Sequence, residues 1–344
     1  MPSVRAARPD EAVVGFVVNP RSGQDIRRLV ARASVFPNTE KVMMLQRVLG
    51  ALGAVGVDRV VAVADVGGVT GSLAHAVETH DDGRDSRWPV VDLLELTMAG
   101  GPADTLAATS AVVALGVRAI VVLGGDGTDR LVASVCGDVP MVPLSTGTNN
   151  AFAQIEEATV AGLAAGLLAT GRLAVSDACR RSKVLWVSHR ERRELGLVDV
   201  AVTTSSAIGA RAVWEMEDLT ELYVTFADPA AIGLSSIAGL VRPVGRDEPI
   251  GLRLSLRADA ARRVLAPIAP GLVREVGVES VEDLAPARLH VLATRTGVIA
   301  VDGEREIELR GEPATIELSL DGPWRLDVPT AMHVAASRGL LLRR

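Results

Sequence analysis

The stretch Arg118–Gln154, RAIVVLGGDGTDRLVASVCGDVPMVPLSTGTNNAFAQ, decides how this chain is read. An apolar run, Ala119 to Leu123, stops at Gly124-Gly125-Asp126-Gly127-Thr128. A short helical segment follows, and a second apolar run, Met141 to Leu144, stops at Ser145-Thr146-Gly147-Thr148-Asn149-Asn150. Two adjacent strands that both end in glycine and small hydroxyl residues place two sets of backbone N–H groups side by side. Amides and helix N-termini favour anions without large side chains, so the pair suits a polyphosphate. The glycines can adopt positive φ and let backbone approach a ligand, and Thr128 can cap the next helix and donate to a phosphate. Asp126 is the odd member. A carboxylate in such a loop is repelled by the anion unless it binds a cation or removes a proton, which points to phosphoryl transfer.

Working outward, the N-terminal half alternates short β-rich runs with helical patterns. Strands are predicted over Val13–Val18, Arg59–Ala64, Val90–Leu96, Ala119–Leu123 and Met141–Leu144, and helices over Asp25–Ala33, Lys41–Ala54, Gly71–Glu78, Pro102–Leu115 and Asp129–Val135. Continuous apolar strands separated by helices imply a Rossmann-like parallel sheet covered on both faces. Its ligand crevice lies at the carboxyl ends of the strands, where Asn19-Pro20-Arg21-Ser22-Gly23 also falls. Arg27, Arg28 and Arg32 make a basic helical face beside that loop, either solvated or clamping phosphates. Asp81–Arg87 reads as an exposed polar loop.

After a helical stretch at Thr159–Thr170 the texture changes. Short β-type segments dominate: Val184–Ser188, Leu195–Thr203, Leu222–Phe226, Leu252–Leu256, Leu289–Ala293, Gly297–Val301 and Thr315–Leu320, with Arg190–Glu194 as a charged hairpin turn. They suggest an antiparallel sandwich. The fold class is therefore α/β plus all-β: an α/β nucleotide-binding domain over 1–171, a β-rich substrate domain over 172–328, and a helical tail, 329–344, packing back on the first domain.

Composition bounds the function. A chain of 344 residues makes roughly two domains. Its 48% hydrophobic content allows a large core, built mostly of Ala, Val and Leu because aromatics are only 3%. A net charge of −6 argues against non-specific nucleic-acid binding. The least charged stretch, Ala107 to Gly125, is broken by Arg118 and Gly116 and reads as a buried helix and strand, so no membrane span is expected. The start lacks a long apolar core, so no signal peptide is expected. Cys136 and Cys179 lie far apart, as reduced thiols of a cytoplasmic protein would. His75, His80, His189, His290 and His333 show no metal-ligand spacing, and no side chain is assigned as a metal ligand.

Competing nucleotide motifs fail. A P-loop needs G-x-x-x-x-G-K-[ST], and the chain has two lysines, Lys41 and Lys183, neither preceded by such a loop. A dinucleotide fingerprint needs a glycine where Arg130 stands. Gly124–Thr128 resembles instead the GGDGT signature of the NAD kinase, diacylglycerol kinase and sphingosine kinase superfamily. Thr146–Ala153 resembles the GTGNDFA segment of its lipid kinase branch, and Asn19–Gly23 that branch's NPxSG loop. The remaining layout, including Asn19–Ala31 and Gly209–Trp214, most resembles the AcoX-like proteins, NAD-kinase-like chains encoded with acetoin catabolism enzymes.

The resemblance implies an α/β nucleotide domain, a β-rich second domain and a site between them that takes ATP, Mg²⁺ and NAD, in a homo-oligomeric assembly (a dimer or tetramer). It makes Asp126 the general base toward the 2′-hydroxyl of the adenosine ribose of NAD. Asn19, Ser22, Gly124, Gly125, Gly127, Thr128, Thr146, Gly147, Thr148 and Asn149 become phosphate-binding positions, and Asn150, Asp199 and Asp302 acceptor-binding ones. Val198-Asp199 stands where NAD kinases carry an Asn-Glu pair, and valine offers none of that asparagine's hydrogen bonds. Gly233–Gly239 replaces a GSTAY-type segment, and Asp302-Gly303 occupies the place of an Asp-Gly turn, which a plain hairpin also explains. The favoured reading is an NAD kinase-like phosphotransferase using ATP or polyphosphate. The alternatives are a kinase of a lipid or other small alcohol, and a non-catalytic nucleotide-binding accessory protein. A lipid kinase would want a membrane-docking amphipathic segment, and none is evident.

Overall fold

The computed structural model describes residues 4–23, 36–81, 87–147, 150–153, 156–204 and 216–343. The helix read at Asp25–Ala33 with Arg27, Arg28 and Arg32, the tip of the 81–87 loop, Thr148, Asn149 and Gly209–Trp214 lie outside these residues. The first part alternates β1 (Val13–Val18), α1 (Asn38–Ala54), β2 (Arg59–Val63), α2 (Val69–Glu78), β3 (Val90–Leu94), α3 (Pro102–Ala114), β4 (Ala119–Gly124), α4 (Asp126–Val135), β5 (Met141–Ser145) and α5 (Ala158–Ala169). The strands are parallel in the order β3-β2-β1-β4-β5.

These strands read as unbroken apolar runs because both faces are buried. Val14 and Phe16 of β1 and Val121 and Leu123 of β4 pack with α1 and α5. Their neighbours Val13, Val17, Ile120 and Val122 pack on the opposite face with Ala108 and Val112 of α3 and Val132 of α4. With few aromatics, the helices close up by small residues. A Cβ at Gly162 of α5 would come 2.8 Å from the Ala51 Cβ and 3.0 Å from the Val48 backbone of α1.

After α6 (Val175–Ala178) and β6 (Cys179–Arg181) come β7 (Val184–His189), β8 (Arg192–Gly196), β9 (Asp199–Thr203), β10 (Leu219–Val224), α7 (Ser235–Val241), β11 (Gly251–Leu256), β12 (Arg263–Ala269), β13 (Leu272–Leu284), β14 (Leu289–Val291), β15 (Thr296–Val301), β16 (Glu304–Arg310) and β17 (Ala314–Ser319). The larger antiparallel sheet runs β12-β13-β11-β10-β9-β15-β16 and the smaller β14-β17-β7-β8. They face each other through Val200, Val202, Ile299 and Val301 on one side and Leu185, Val187, Ile316 and Leu318 on the other. Ala201 and Ala300, one residue out of phase, meet the core that α7 closes with Ile237 and Ala238. The alternation of β9 and β15 thus serves two cores at once.

The chain then returns. β18 (Trp324–Leu326) pairs in parallel with β5 and antiparallel with β6, extending the first sheet. α8 (Val328–Ser337) buries Val328, Ala331 and Ala335 against α5 and α6. Residues 179–181 and 324–326, read from sequence as part of the second unit, therefore hydrogen-bond into the first sheet. The single strand read at Leu195–Thr203 is two strands with a turn at Leu197-Val198. No described helix is long and apolar enough to cross a membrane.

Candidate functional site

Three loops leave the carboxyl ends of β1, β4 and β5 and are stitched together by their own short side chains. Asn19 Nδ2 donates to Thr128 Oγ1 at 2.8 Å, the Ser22 and Thr146 hydroxyls lie 2.7 Å apart, and Thr146 Oγ1 donates to the Gly124 carbonyl at 3.2 Å. Ser22, Thr128 and Thr146 are buried. Residues read as phosphate contacts therefore act as braces between loops. Asn19, Ser22, Thr128 and the start of α4 also line the cavity. Lys41, from α1, closes the assembly beneath. Its Nζ donates to the carbonyls of Asn19, Pro20 and Ser22 at 3.0, 2.9 and 3.0 Å and to Asn38 Oδ1 at 3.1 Å. The side chain is fully buried, and burial pushes its pKa down to about 8.

The loop glycines answer a need for close approach. Gly124, Gly125, Gly127 and Gly147 all lack positive φ. A Cβ at Gly124 would meet the Thr128 Cβ at 2.4 Å, and one at Gly147 would meet Asn150 Oδ1 at 2.5 Å. Helix α4 begins earlier than its apolar pattern indicates. The Gly125 carbonyl accepts from Thr128 N at 2.8 Å and Asp129 N at 3.0 Å, so Asp126–Thr128 form its first turn.

Asp126 is held at that first turn. Its Oδ2 accepts from the Ala151 amide at 2.8 Å and its Oδ1 from the Phe152 amide at 2.9 Å, while its own N–H donates to Asn150 Oδ1 at 3.4 Å. Asn150 Nδ2 donates in turn to Ser145 Oγ at 2.7 Å. Burial raises the Asp126 pKa, against the opposing pull of the Ala151, Phe152 and Ala153 amides and of Arg246. The same turn is gripped from the second unit. Arg246 donates to the Ala151 and Phe152 carbonyls and stacks its guanidinium 3.9 Å from the centre of the Phe226 ring.

A cavity of about 520 Å³ opens between these loops and the second unit. Asp126, Gly127, Thr128 and Asn150 line one side, and Glu194, Asp302, Glu304 and Glu306 the other. Asp302 sits at the β15–β16 turn with φ 49°. Its carboxylate accepts the Leu197, Val198 and Asp199 amides at 3.0, 2.8 and 3.1 Å. This bond set makes the turn that splits β8 from β9, and burial lifts the Asp302 pKa to about 6. Asp199, read as an acceptor contact, is 5% exposed and contributes its amide to Asp302. Arg130 of α4 crosses between the units, 2.6 Å from Glu306, 3.7 Å from Glu194 and 4.0 Å from Asp302.

The comparisons with known proteins can be set against this geometry. The model of the ATP-NAD kinase N-terminal domain matches residues 14–173, and that of the acetoin catabolism protein X C-terminal domain matches residues 183–321. The acetoin catabolism protein X of Cupriavidus necator is 42% identical over 337 residues, covering 96% of this chain and 94% of its own. The chain belongs to the acetoin catabolism protein X family. Two solved structures from Bacillus anthracis str. Sterne, provisionally assigned as diacylglycerol kinases, align at 13% and 12% identity. Their TM-scores are 0.45 and 0.44, covering 93% and 92% of this chain and 98% of theirs. The family thus joins an NAD kinase-like first domain to its own β-rich second domain, and the junction is where the cavity lies.

Among the described residues no three His, Cys, Asp or Glu side chains are grouped to hold a metal ion. Magnesium on a nucleotide needs only one or two carboxylates beside the phosphates. Glu304 suits that use, because a Cβ at Gly127 would come within 3.2 Å of its Oε1, at the start of α4. The residues therefore fit a cation carried in by phosphates. Sequence reading missed Lys41, Arg130, Arg246 and Asp129 as site components. Asp129 is 1% exposed, and among the described residues neither carboxyl oxygen has a hydrogen-bond partner. Burial, with Asp126 and Asp302 nearby, pushes its pKa well up. The signal available for Lys41 was its rarity: of 36 Lys and Arg residues only two are lysines, and a compact ammonium differs from a guanidinium in what it can bond.

Proposed function

We propose that this chain is an NAD kinase-like phosphotransferase that moves the terminal phosphoryl of ATP, or of a polyphosphate, to a hydroxyl. The favoured acceptor is the 2′-hydroxyl of the adenosine ribose of NAD. The observation that supports it is the convergence of three strand-end loops and the N-terminus of α4 on one cavity, with Asp126 in its wall. Donor phosphates would lie against the amides that open α4, where the helix dipole favours anions. Each Asp126 oxygen accepts one amide and keeps a second lone-pair direction. Its raised pKa makes it a better proton acceptor for an attacking hydroxyl than an ordinary carboxylate. Glu304 would hold the Mg²⁺ that travels with the phosphates, and that ion supplies charge neutralisation on the transferred group.

A second reading, a nucleotide-binding accessory protein, draws support from the acidic face across the cavity. Glu194, Asp302, Glu304 and Glu306 there outnumber Arg130, an arrangement that disfavours a bare polyphosphate. One experiment separates the readings. Purified protein is incubated with ATP or polyphosphate, Mg²⁺ and NAD, and NADP is followed with diacylglycerol and small alcohols as parallel acceptors. NADP formation supports the kinase. Tight calorimetric binding of ATP or NAD with no product from any acceptor supports the accessory role and removes the kinase.

A further inference from the structure

A second, much smaller cleft lies at the Ala151–Phe152 turn, away from the cavity between the units. Phe152, Arg180, Lys183, Arg246, Asp247 and Arg325 are among its lining residues, and its volume is about 20 Å³. That is room for one water molecule or one ion of similar size. Arg181 lines it as well, so five cations face Asp247, which is exposed.

Most of these cations are already satisfied. Lys183 Nζ donates to the Gly245, Glu248 and Ile250 carbonyls at 2.9, 2.7 and 2.7 Å. Arg181 pairs with Asp138 and Asp321 and covers the Trp324 ring. Arg180 Nη1 reaches the Cys179 carbonyl at 3.2 Å, and Arg246 holds the Ala151 and Phe152 carbonyls. Arg325 is different. Only 8% of it is exposed, and among the described residues no hydrogen bond or ion pair holds its guanidinium, whose nitrogens still reach the solvent of the cleft. Asp327, Asp247 and Glu156 attract it only from a distance, and Asp327 is committed to capping α8 through the Thr330 amide at 2.9 Å. A guanidinium does not escape by losing its proton at physiological pH, so one left with solvent only through a narrow cleft gains from a counter-charge there. Arg246 feels the Arg325 charge as a repulsion, and burial with that repulsion lowers its pKa to about 10.

We propose that this cleft binds one small monovalent anion of halide size between Arg325 and Arg246. The ion would supply the missing acceptor for Arg325 and relieve the repulsion between the two guanidinium groups. Because Arg246 grips the turn whose amides hold Asp126, it would also firm the wall of the larger cavity. The small volume of the cleft favours a halide over a tetrahedral oxyanion.

Two measurements on the full chain test this. Crystals soaked in bromide should show an anomalous peak in the cleft beside Arg325. Thermal unfolding in potassium chloride should have a midpoint about 2 °C above that in potassium gluconate at matched ionic strength, and Arg325→Met should erase the difference. Equal midpoints in the two salts overturn the proposal. So does bromide found only elsewhere on the surface (an adventitious ion only), or stabilisation by phosphate and not by chloride. If Arg325→Met does not fold, the bromide map of the unaltered protein decides.

Discussion

Asp126→Asn is the perturbation that separates the two things Asp126 does in this structure. The carboxylate accepts two amide hydrogen bonds, from Ala151 at 2.8 Å and Phe152 at 2.9 Å. Charge-assisted bonds of this kind contribute roughly 1.5–3 kcal/mol each. An asparagine keeps one accepting oxygen and turns an NH₂ group toward the other amide, so one bond is lost and one donor is left facing a donor. Against this loss of roughly 2–4 kcal/mol stands a gain, because the amide escapes the burial that raises the Asp126 pKa. The expected net effect is about 1–3 kcal/mol of lost stability, concentrated in the 150–153 turn. Hydrogen exchange of the Ala151 and Phe152 amides, beside the thermal midpoint and the rate of phosphoryl transfer, reads it directly. Faster exchange and a lower midpoint should accompany lost turnover. Unchanged protection and an unchanged midpoint with turnover abolished would refute the reasoning, because Asp126 would then be a proton acceptor with no hold on its own loop.

Three further changes probe the same region. Lys41→Met should cost roughly 3 kcal/mol or more, since it strands the buried carbonyls of Asn19, Pro20 and Ser22; denaturant unfolding checks it, and a loss below 1 kcal/mol contradicts it. Asp129→Ala should instead stabilise by about 1–2 kcal/mol, because it removes a carboxyl whose oxygens have no partner among the described residues and places a better helix former in α4. A lower midpoint would mean that Asp129 has a partner. Asp302 holds its proton more tightly folded, with a pKa of about 6, than its ordinary value of 3.8. Its ionisation therefore costs the folded state stability, which declines as the pH rises from about 4 through about 6 and is level above that. Asp302→Asn should flatten this part of a stability-against-pH curve, and an unaltered slope would assign it to another group.

The first sheet was legible because burial on both faces leaves a local signature. Unbroken runs such as Val13–Val18 and Ala119–Leu123 need no knowledge of their neighbours. Elements defined by distant partners left none. β6 and β18 are three residues long, include three arginines between them, and become strands only by pairing with each other and with Met141. The long β13, with Arg274, Glu275, Glu279 and Glu282 along it, carries too many charges to read as a strand, yet pairs on both edges with β11 and β12. The turn at Leu197-Val198 sits inside an apolar run whose only turn-type residue is Gly196, and that glycine closes β8 without a positive φ. What bends it is the Asp302 carboxylate, more than a hundred residues away.

The same division between local and distant causes governs the site. Its glycine loops were legible because close approach of backbone can be met by one residue type, and Gly124 and Gly147 meet it against Thr128 and Asn150. Which group would touch a ligand was not legible, because a short polar side chain looks the same whether it faces a phosphate or a neighbouring loop. Ser22, Thr128 and Thr146 chose the neighbouring loop. That choice follows from chain economy: three loops from three separate strands must be fixed in one another's frame before any anion arrives, or ligand binding has to order them at its own expense. Lys41 below, Arg246 at the Ala151–Phe152 turn and Arg130 across to Glu306 complete that ordering with long cations that reach where hydroxyls cannot. The cradle is therefore braced by side chains, which leaves its backbone amides for any anion it takes. Substitutions of its serines and threonines should accordingly be felt first as loosened loops and only through that as weaker ligand affinity.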